Sequence, residues 1–181
     1  MPAPSPIPPR SPASRRGLTL LEVTLGMSIL AVGLLALTST SVATHKLRET
    51  DHARQLARDG LAAVVRDVEV ASRLIDKQSA DWSAQLLARF SGAEAWRAVD
   101  GLDPWPDQPG VIELRFFPDE TIGDDELGFP LGLPRDLDND GFASSPDVSD
   151  SARLLPAVAR ARWTTNAGDR ELVQGFFVMG Y

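Results

Sequence analysis

The sequence predicts an α+β fold in which a long N-terminal helix packs on a small antiparallel sheet of three or four strands. A helical pattern runs without a break from residue 18 to about residue 75, and it contains no proline. Strand-like runs follow at residues 111–117, 157–164 and 171–179, the last two joined by a short turn. Helices and strands that are segregated along the chain in this way are typical of the α+β class.

The first seventeen residues form a basic leader. They contain six prolines, three serines and three arginines and no carboxylate. This composition buries no core and is typical of a processing segment. We therefore expect residues 1–17 to be removed.

The rest of the chain is acidic. The formal net charge is −7, and without the three leader arginines 15 basic and 25 acidic side chains remain, a net charge of −10. Binding to nucleic-acid phosphates needs clustered lysine and arginine, so direct nucleic-acid binding is not expected. The chain has no cysteine, which excludes disulfides and thiolate zinc sites.

Residues 18–37 are a predicted membrane span. They carry one charge, Glu22, and at about 1.5 Å per residue they cross a hydrocarbon core of about 30 Å. The helical pattern continues, so we assign residues 18–40 to a transmembrane half and residues 41–76 to an exported half of one helix. The exported half has an apolar stripe suited to packing on a sheet. Its members are Leu47, Leu56, Leu61, Val64, Val65, Val68 and Leu74.

The junction between the leader and the membrane span carries a processing motif. The run Arg15-Arg16-Gly17-Leu18-Thr19-Leu20-Leu21-Glu22-Val23 resembles the cleavage and methylation signature of type IV prepilins and of the pseudopilins of type II secretion systems. The resemblance implies that a prepilin peptidase cuts after Gly17, that the new amine of Leu18 is methylated, and that Glu22 serves in assembly. Leucine at position 18 departs from the family's commonest residue, phenylalanine, but other apolar residues are accepted there.

The same resemblance implies a pilin-like fold and a structural function. It indicates a minor pilin or pseudopilin, anchored in the inner membrane by one span with its C-terminal head in the periplasm, that enters a filament after processing. The implied partners are other pilin or pseudopilin subunits, the prepilin peptidase, the inner-membrane assembly platform and the membrane. Secretion pseudopili, motility pili and DNA-uptake pili share this N-terminal chemistry.

Glu22 also has a physical argument of its own. A charged side chain at the centre of a bilayer costs about 2.5–3.5 kcal/mol, so it needs a partner. The amine that cleavage creates on Leu18 of a neighbouring subunit is such a partner. Three other interpretations remain open: a secretory signal cut after Ala43, a twin-arginine signal at Arg15-Arg16, and a plain membrane anchor. In the last case the head would be a periplasmic ligand-binding domain that never assembles.

Residues 77–181 are predicted to form a globular α+β head. We expect a second helix at residues 82–99, a loop at residues 100–110 and a long acidic loop at residues 119–150. Loops of that length are usually functional or disordered. The buried positions expected in the second helix are Trp82, Leu86, Leu87, Phe90 and Trp96.

The two C-terminal strands are predicted to be antiparallel, with residues 166–169 as their turn. The first of them is expected to alternate between apolar and charged side chains. Its predicted faces are Val158, Ala161 and Trp163 on one side against Arg160 and Arg162 on the other.

Residues 136–147 have the spacing of an EF-hand-type calcium loop. The expected ligands are Asp136, Asp138, Asp140, the backbone carbonyl of Phe142, and Asp147. Aspartate at the twelfth place is shorter than the usual glutamate, and no flanking helix is evident, so we expect a lone DxDxDG site that binds calcium. The other interpretation is a solvated loop whose Asp and Asn side chains bond their own backbone. A calcium-binding adhesive module delivered by a pilus would share these features.

No constellation of catalytic residues is evident. His45 and His52 are the only histidines, and both fall on the exported half of the long helix. No glycine-rich phosphate loop follows a predicted strand. We therefore predict that the protein is not an enzyme.

Overall fold

The computed structural model describes residues 19–76, 79, 81–166 and 168–180. The predicted processing residues Gly17 and Leu18 lie outside the described residues, as does Ala167. The chain divides into two compact units, one ending at Lys46 and one beginning at Leu47. A long apolar N-terminal helix and a small antiparallel sheet confirm the α+β class. The helices are α1 (Leu20–Leu74), α2 (Trp82–Arg89) and α3 (Asp124–Leu127), and the strands are β1 (Trp96–Arg97), β2 (Asp103–Pro104), β3 (Ile112–Phe116), β4 (Leu154–Thr165) and β5 (Gly168–Met179).

The first unit consists of exposed apolar helix. Every residue from 19 to 46 is exposed, although most of the side chains up to residue 37 are apolar. In the described part of the chain, α1 is the helix that is long and apolar enough to cross a membrane, a criterion that a signal sequence near the N-terminus also meets. A helix that is apolar on all sides needs an apolar environment.

In the second unit, α1 buries one stripe. Ala57, Leu61, Val64, Val68 and Ala71 are buried, at alternating spacings of four and three residues that place them on one side of the helix. The predicted stripe was right in its centre and wrong at its ends. The outer members, Leu47 and Leu74, are 66% and 73% exposed. They lie beyond the part of the helix that packs on the core.

The second helix is shorter than predicted. It ends at Arg89, and a 3-10 turn at Gly92–Ala95 and strand β1 replace its predicted second half. The backbone leaves the helical conformation at Phe90 and is extended at Ser91. Gly92 then has a φ of +60°, a left-handed conformation that favours glycine. Trp82 and Phe90 are buried as predicted, whereas Trp96 is half-buried and lies on β1.

Strand β4 is the centre of the sheet, and all of its pairings are antiparallel. It pairs with β5 over its whole length, and with β3 and β2 over successive parts. Because β5 pairs with the same residues as both of these strands, it lies on the opposite side of β4. The predicted strands at 111–117, 157–164 and 171–179 are confirmed. The prediction of a loop at residues 100–110 is wrong at β2. Its two residues form a strand because they pair with Trp163 and Thr164 of β4.

One face of the sheet packs on the helices. Ile112, Leu114 and the β4 alanines that pair with them are buried. A Cβ atom at Gly60 on α1 would lie 2.9 Å from Cδ1 of Ile112. The missing side chain therefore lets the helix approach the sheet closely.

The opposite face carries Val158 together with Arg160 and Arg162, because residues two apart in a strand share a face. The predicted grouping of Val158 with Ala161 was therefore wrong. Val158 is nevertheless buried, because the acidic segment, residues 119–150, covers this face.

Two contacts show how the acidic segment covers the sheet. Gly175 of β5 pairs with Val158, and a Cβ atom at Gly175 would lie 2.5 Å from the ring of Phe129. The Arg160 guanidinium donates a hydrogen bond to the carbonyl oxygen of Leu127 at 3.4 Å. The sheet is thus enclosed between a helical layer and an irregular one.

Candidate functional site

The start of α1 is a capping box. The backbone N–H and the hydroxyl of Thr19 donate to Oε2 of Glu22 at 3.1 and 3.2 Å, and the N–H of Glu22 donates back to the Thr19 hydroxyl at 3.3 Å. Such reciprocal bonds satisfy backbone donors that a helix N-terminus leaves free. Glu22 therefore has a role within its own helix that the family resemblance did not indicate, although the Thr-x-x-Glu pattern was present in the sequence.

The DxDxDG run folds into consecutive side-chain turns. The Asp136 carboxylate accepts the N–H groups of Asn139 and Gly141 at 2.6 and 2.9 Å. Asp138 accepts the N–H of Asp140 at 3.0 Å, and Asp140 accepts the N–H of Phe142 at 2.8 Å. The loop reverses sharply at Gly141, with a φ of +98°, which favours the glycine found there.

A buried carboxylate that the sequence analysis did not select lies beneath this loop. Glu120 has no exposed surface. Its Oε1 accepts the N–H groups of Leu137 and Asp138 at 2.6 and 3.3 Å, and its Oε2 accepts those of Ser144 and Ser145 at 3.2 and 3.1 Å. Glu120 thus joins the two ends of the loop to each other.

The environment of Glu120 favours its ionised form. Burial alone raises the pKa of a carboxyl group. For Glu120 the four backbone N–H donors outweigh this effect, so its pKa lies below the ordinary value. The side chain is therefore an anion held by oriented backbone dipoles.

Three carboxylates converge at one place. Oxygen atoms of Glu120, Asp136 and Asp138 lie within 4.8 Å of one another. Carboxylate oxygens are the ligands that hard cations such as calcium prefer, so the chemistry of this set fits such an ion, although acidic groups also converge without one. Asp140 and Asp147 lie outside this group.

The remaining predicted ligands have other surroundings. Asp147 accepts both the N–H and the hydroxyl of Ser149, at 3.0 and 2.6 Å, and these bonds lower its pKa against the smaller opposing effect of desolvation. The Phe142 side chain is 70% exposed. The side-chain turns match the interpretation as a solvated loop, and the converging carboxylates match the interpretation as a calcium site.

Asp124 is a second anchor of the acidic segment that the sequence analysis did not select. It accepts the N–H groups of residues 131–133, each at 2.9 Å. The bonds from Leu133 and Gly132 each lower the pKa of Asp124 more than desolvation raises it, and the bond from Leu131 lowers it further. The glycine- and proline-rich sequence around residue 132 indicates a turn, but not the carboxylate that holds it.

The chain matches no family model, and no curated protein and no solved structure is significantly similar to it.

Proposed function

We propose that the protein is a pilin-like structural subunit, a minor pilin or pseudopilin, that is cleaved after Gly17 and enters a membrane-anchored filament through α1. The observation that carries the proposal is the first unit, an apolar helix that is exposed throughout and has one carboxylate, Glu22, in its first turn. The second unit buries its own core without that stretch of helix. The exposed helix therefore remains available for lipid or for the helices of other subunits.

The position of Glu22 supports assembly. In the processed chain, Leu18 would carry the terminal amine, one residue before Thr19. A neighbouring amine of this kind would offer Glu22 a charged partner, whereas the Thr19 groups are neutral donors. The amine would add a charge–charge attraction to Glu22 that the neutral donors of Thr19 cannot supply, and this attraction is strong where water is excluded. The capping box would hold Glu22 at the helix start until a neighbour binds it.

The primary test is the intact mass and the N-terminal residue of the protein from membranes, with and without the prepilin peptidase. We expect a start at N-methylated Leu18 that depends on the peptidase. A start at Met1 would support a plain anchor with a ligand-binding head, and a start at Thr44 would support a secretory signal. Either result would overturn the filament proposal.

A pair of variants separates the two roles of Glu22. Glu22→Gln keeps an oxygen acceptor for the cap but removes the charge, whereas Thr19→Ala removes one side of the cap and keeps the charge. We expect both variants to be processed, Glu22→Gln to be absent from sheared filaments, and Thr19→Ala to be present in them. Normal assembly of Glu22→Gln would show that the charge has no role.

For the acidic segment we propose a calcium site held by Glu120, Asp136 and Asp138. Calcium would compensate three carboxylates that lie close together, and it would stabilise a head that has no disulfide. We expect calcium to raise the unfolding temperature of the wild type relative to EDTA, and Asp136→Asn to abolish that rise. Asp147→Asn, which changes a carboxylate outside the group, is the control. An unfolding temperature unaffected by calcium would favour the solvated loop.

A further inference from the structure

A basic pocket lies between α1 and α2 on the helical side of the sheet. It has a volume of about 270 Å³. Arg66 and Arg89 at its rim are exposed, and within the described residues neither has a carboxylate within 4.0 Å. Val70 beside them is 49% exposed. The pocket is lined by Arg66, Asp67, Val70, Ala71, Arg89, Phe90, Glu94 and Arg97.

The third arginine of the pocket is held in place. Arg97 lies 3.5 Å from the Glu94 carboxylate and 5.9 Å from the centre of the Phe90 ring. The pocket therefore combines apolar side chains, one arginine paired with Glu94, one exposed carboxylate (Asp67) and two guanidinium groups with free hydrogen-bonding capacity. That combination fits a partner with exposed carboxylates.

The acidic segment has two kinds of carboxylate. Seven of its ten accept a backbone N–H of the segment itself, and these are Asp119, Glu120, Asp124, Asp136, Asp138, Asp140 and Asp147. The other three are Asp125, Glu126 and Asp150, which are exposed and whose carboxylates accept no hydrogen bond and form no ion pair among the described residues. Asp125 and Glu126 are adjacent on α3. Their charges are not needed to hold the segment together.

The basic pocket and α3 lie in different layers. The pocket is lined by α1, the end of α2, the 3-10 turn and β1, and the ring of Phe90 packs against Phe116 of β3 at a centroid distance of 6.1 Å. The acidic segment covers the opposite face through Phe129 at Gly175. One copy therefore presents a basic surface on one side of its sheet and free carboxylates on the other.

Building on the proposed filament, we propose that neighbouring heads meet through these two surfaces, with Asp125 and Glu126 of one copy bound at Arg66 and Arg89 of the next. Because the surfaces lie on opposite sides of one copy, the contact is head-to-tail. Such heterologous contacts propagate into an open chain unless the rotation closes a ring. The partner is a second copy of this chain, so the contact requires copies to be adjacent in the filament. Opposite charge is the basis of recognition in a processed chain whose 15 basic and 25 acidic side chains, a net charge of −10, otherwise oppose self-association.

Cysteine cross-linking tests the geometry, and the chain has no cysteine of its own. The full-length protein carrying both Val70→Cys and Gly123→Cys, which keeps both carboxylates and adds a side chain where there is open space, would be treated in membranes with a short bismaleimide. A head-to-tail contact is expected to give a ladder of dimers, trimers and larger species. Each single-cysteine variant should give no cross-linked species. A second pair, Val70→Cys with Asp150→Cys, places the cysteine at an exposed carboxylate elsewhere in the segment and should give at least tenfold less cross-linked product. Dimers from either single variant, or no ladder from the double variant, would overturn the contact.

Charge reversal tests the chemistry with the same cross-link. In the Val70→Cys, Gly123→Cys background, Arg89→Glu is expected to reduce the ladder about tenfold, which corresponds to about 1.4 kcal/mol, and adding Asp125→Arg should restore it. Raised salt should weaken the wild-type contact. No loss with Arg89→Glu would contradict the charge pairing. The N-terminal mass of the same samples separates the two proposals: normal processing without a ladder overturns the contact alone, whereas a start at Met1 overturns the filament subunit.

Discussion

Glu120→Gln is expected to destabilise the second unit substantially, although it changes one atom of one side chain. Glutamine can still accept two of the four backbone N–H groups through its oxygen. Its amide nitrogen would face the two donors from Ser144 and Ser145 and cannot accept either bond. Two backbone donors would therefore lose their acceptor, and the other two would lose a charged one.

The magnitude follows from those four bonds. Leaving a buried donor unpaired costs about 1–3 kcal/mol, and Ser144 is exposed and Ser145 half-buried, so we take about 1 kcal/mol for each. Exchanging a charged acceptor for a neutral one weakens each remaining bond by about 0.5 kcal/mol. The expected loss is about 3 kcal/mol in the free energy of unfolding. Glu126→Gln, at an exposed carboxylate with no described bond, is the control and should change it by under about 0.5 kcal/mol.

The assay is guanidinium unfolding of the full chain in detergent with EDTA, which removes any contribution from a bound cation. All four tryptophans lie in the second unit, so their fluorescence reports on its unfolding. A midpoint for Glu120→Gln equal to that of the wild type would refute the assigned role of Glu120 in joining the ends of the loop.

The dependence on pH gives the same experiment a second readout. The folded pKa of Glu120 lies below its ordinary value of about 4.5, so its ionisation stabilises the folded state above that pH. This contribution is lost as the pH falls through the lowered folded pKa. The wild type should therefore lose stability below about pH 4.5 more steeply than Glu120→Gln does.

Three further predictions concern packing and the second anchor. Gly175→Ala should lower the free energy of unfolding by about 1–3 kcal/mol, because its new methyl group would overlap the ring of Phe129. Gly123→Ala, which has open space around it, should leave the free energy of unfolding unchanged, and chemical denaturation measures both. Asp124→Asn should speed hydrogen exchange at the three backbone amides that it holds, and unchanged exchange would show that the turn does not depend on the charge. Leu61→Ala removes a side chain that is 1% exposed and should lower the free energy of unfolding by about 2–5 kcal/mol. Leu47→Ala removes a side chain that is 66% exposed and should change it little when both are measured by chemical denaturation.

The regular elements of this fold were largely predictable, because their patterns are local. The stripe centred on Leu61 and Val64 and the three longer strands follow from periods of about 3.6 and 2 residues. The two shortest strands were not predictable. Asp103 and Pro104 are extended because β4 lies beside them, and no local pattern indicates that pairing.

The second helix shows how a plausible helical pattern can extend beyond the helix itself. Apolar side chains continue at helical spacing as far as Trp96, and they favoured a helix over the whole stretch. The helix ends at Arg89, the backbone is extended at Ser91, and Gly92 begins a 3-10 turn that leads to Trp96 on a strand. An isolated glycine is tolerated inside a helical pattern, so the sequence did not indicate where the helix ends.

The candidate cation group was predictable in part. Asp136 and Asp138 stand in a recognisable spacing, and both belong to the converging group. Glu120 comes from the start of the acidic segment, far from them in the chain, and only folding brings it beneath the loop. The place of Asp147 in the spacing suggested a ligand, but its carboxylate bonds Ser149 instead.

The last strand leaves one edge of the sheet open, since in the described part of the chain β5 pairs with β4 alone. An open edge can template the addition of foreign strands, and this one ends in an uncharged, proline-free run from residue 172 to residue 179, a composition that is prone to amyloid-like stacking. The charged residues at 169–171 act as gatekeepers at its beginning. Where many copies are concentrated side by side, the charges of these three side chains oppose such stacking, so neutralising them is a change to avoid when the protein is prepared in quantity.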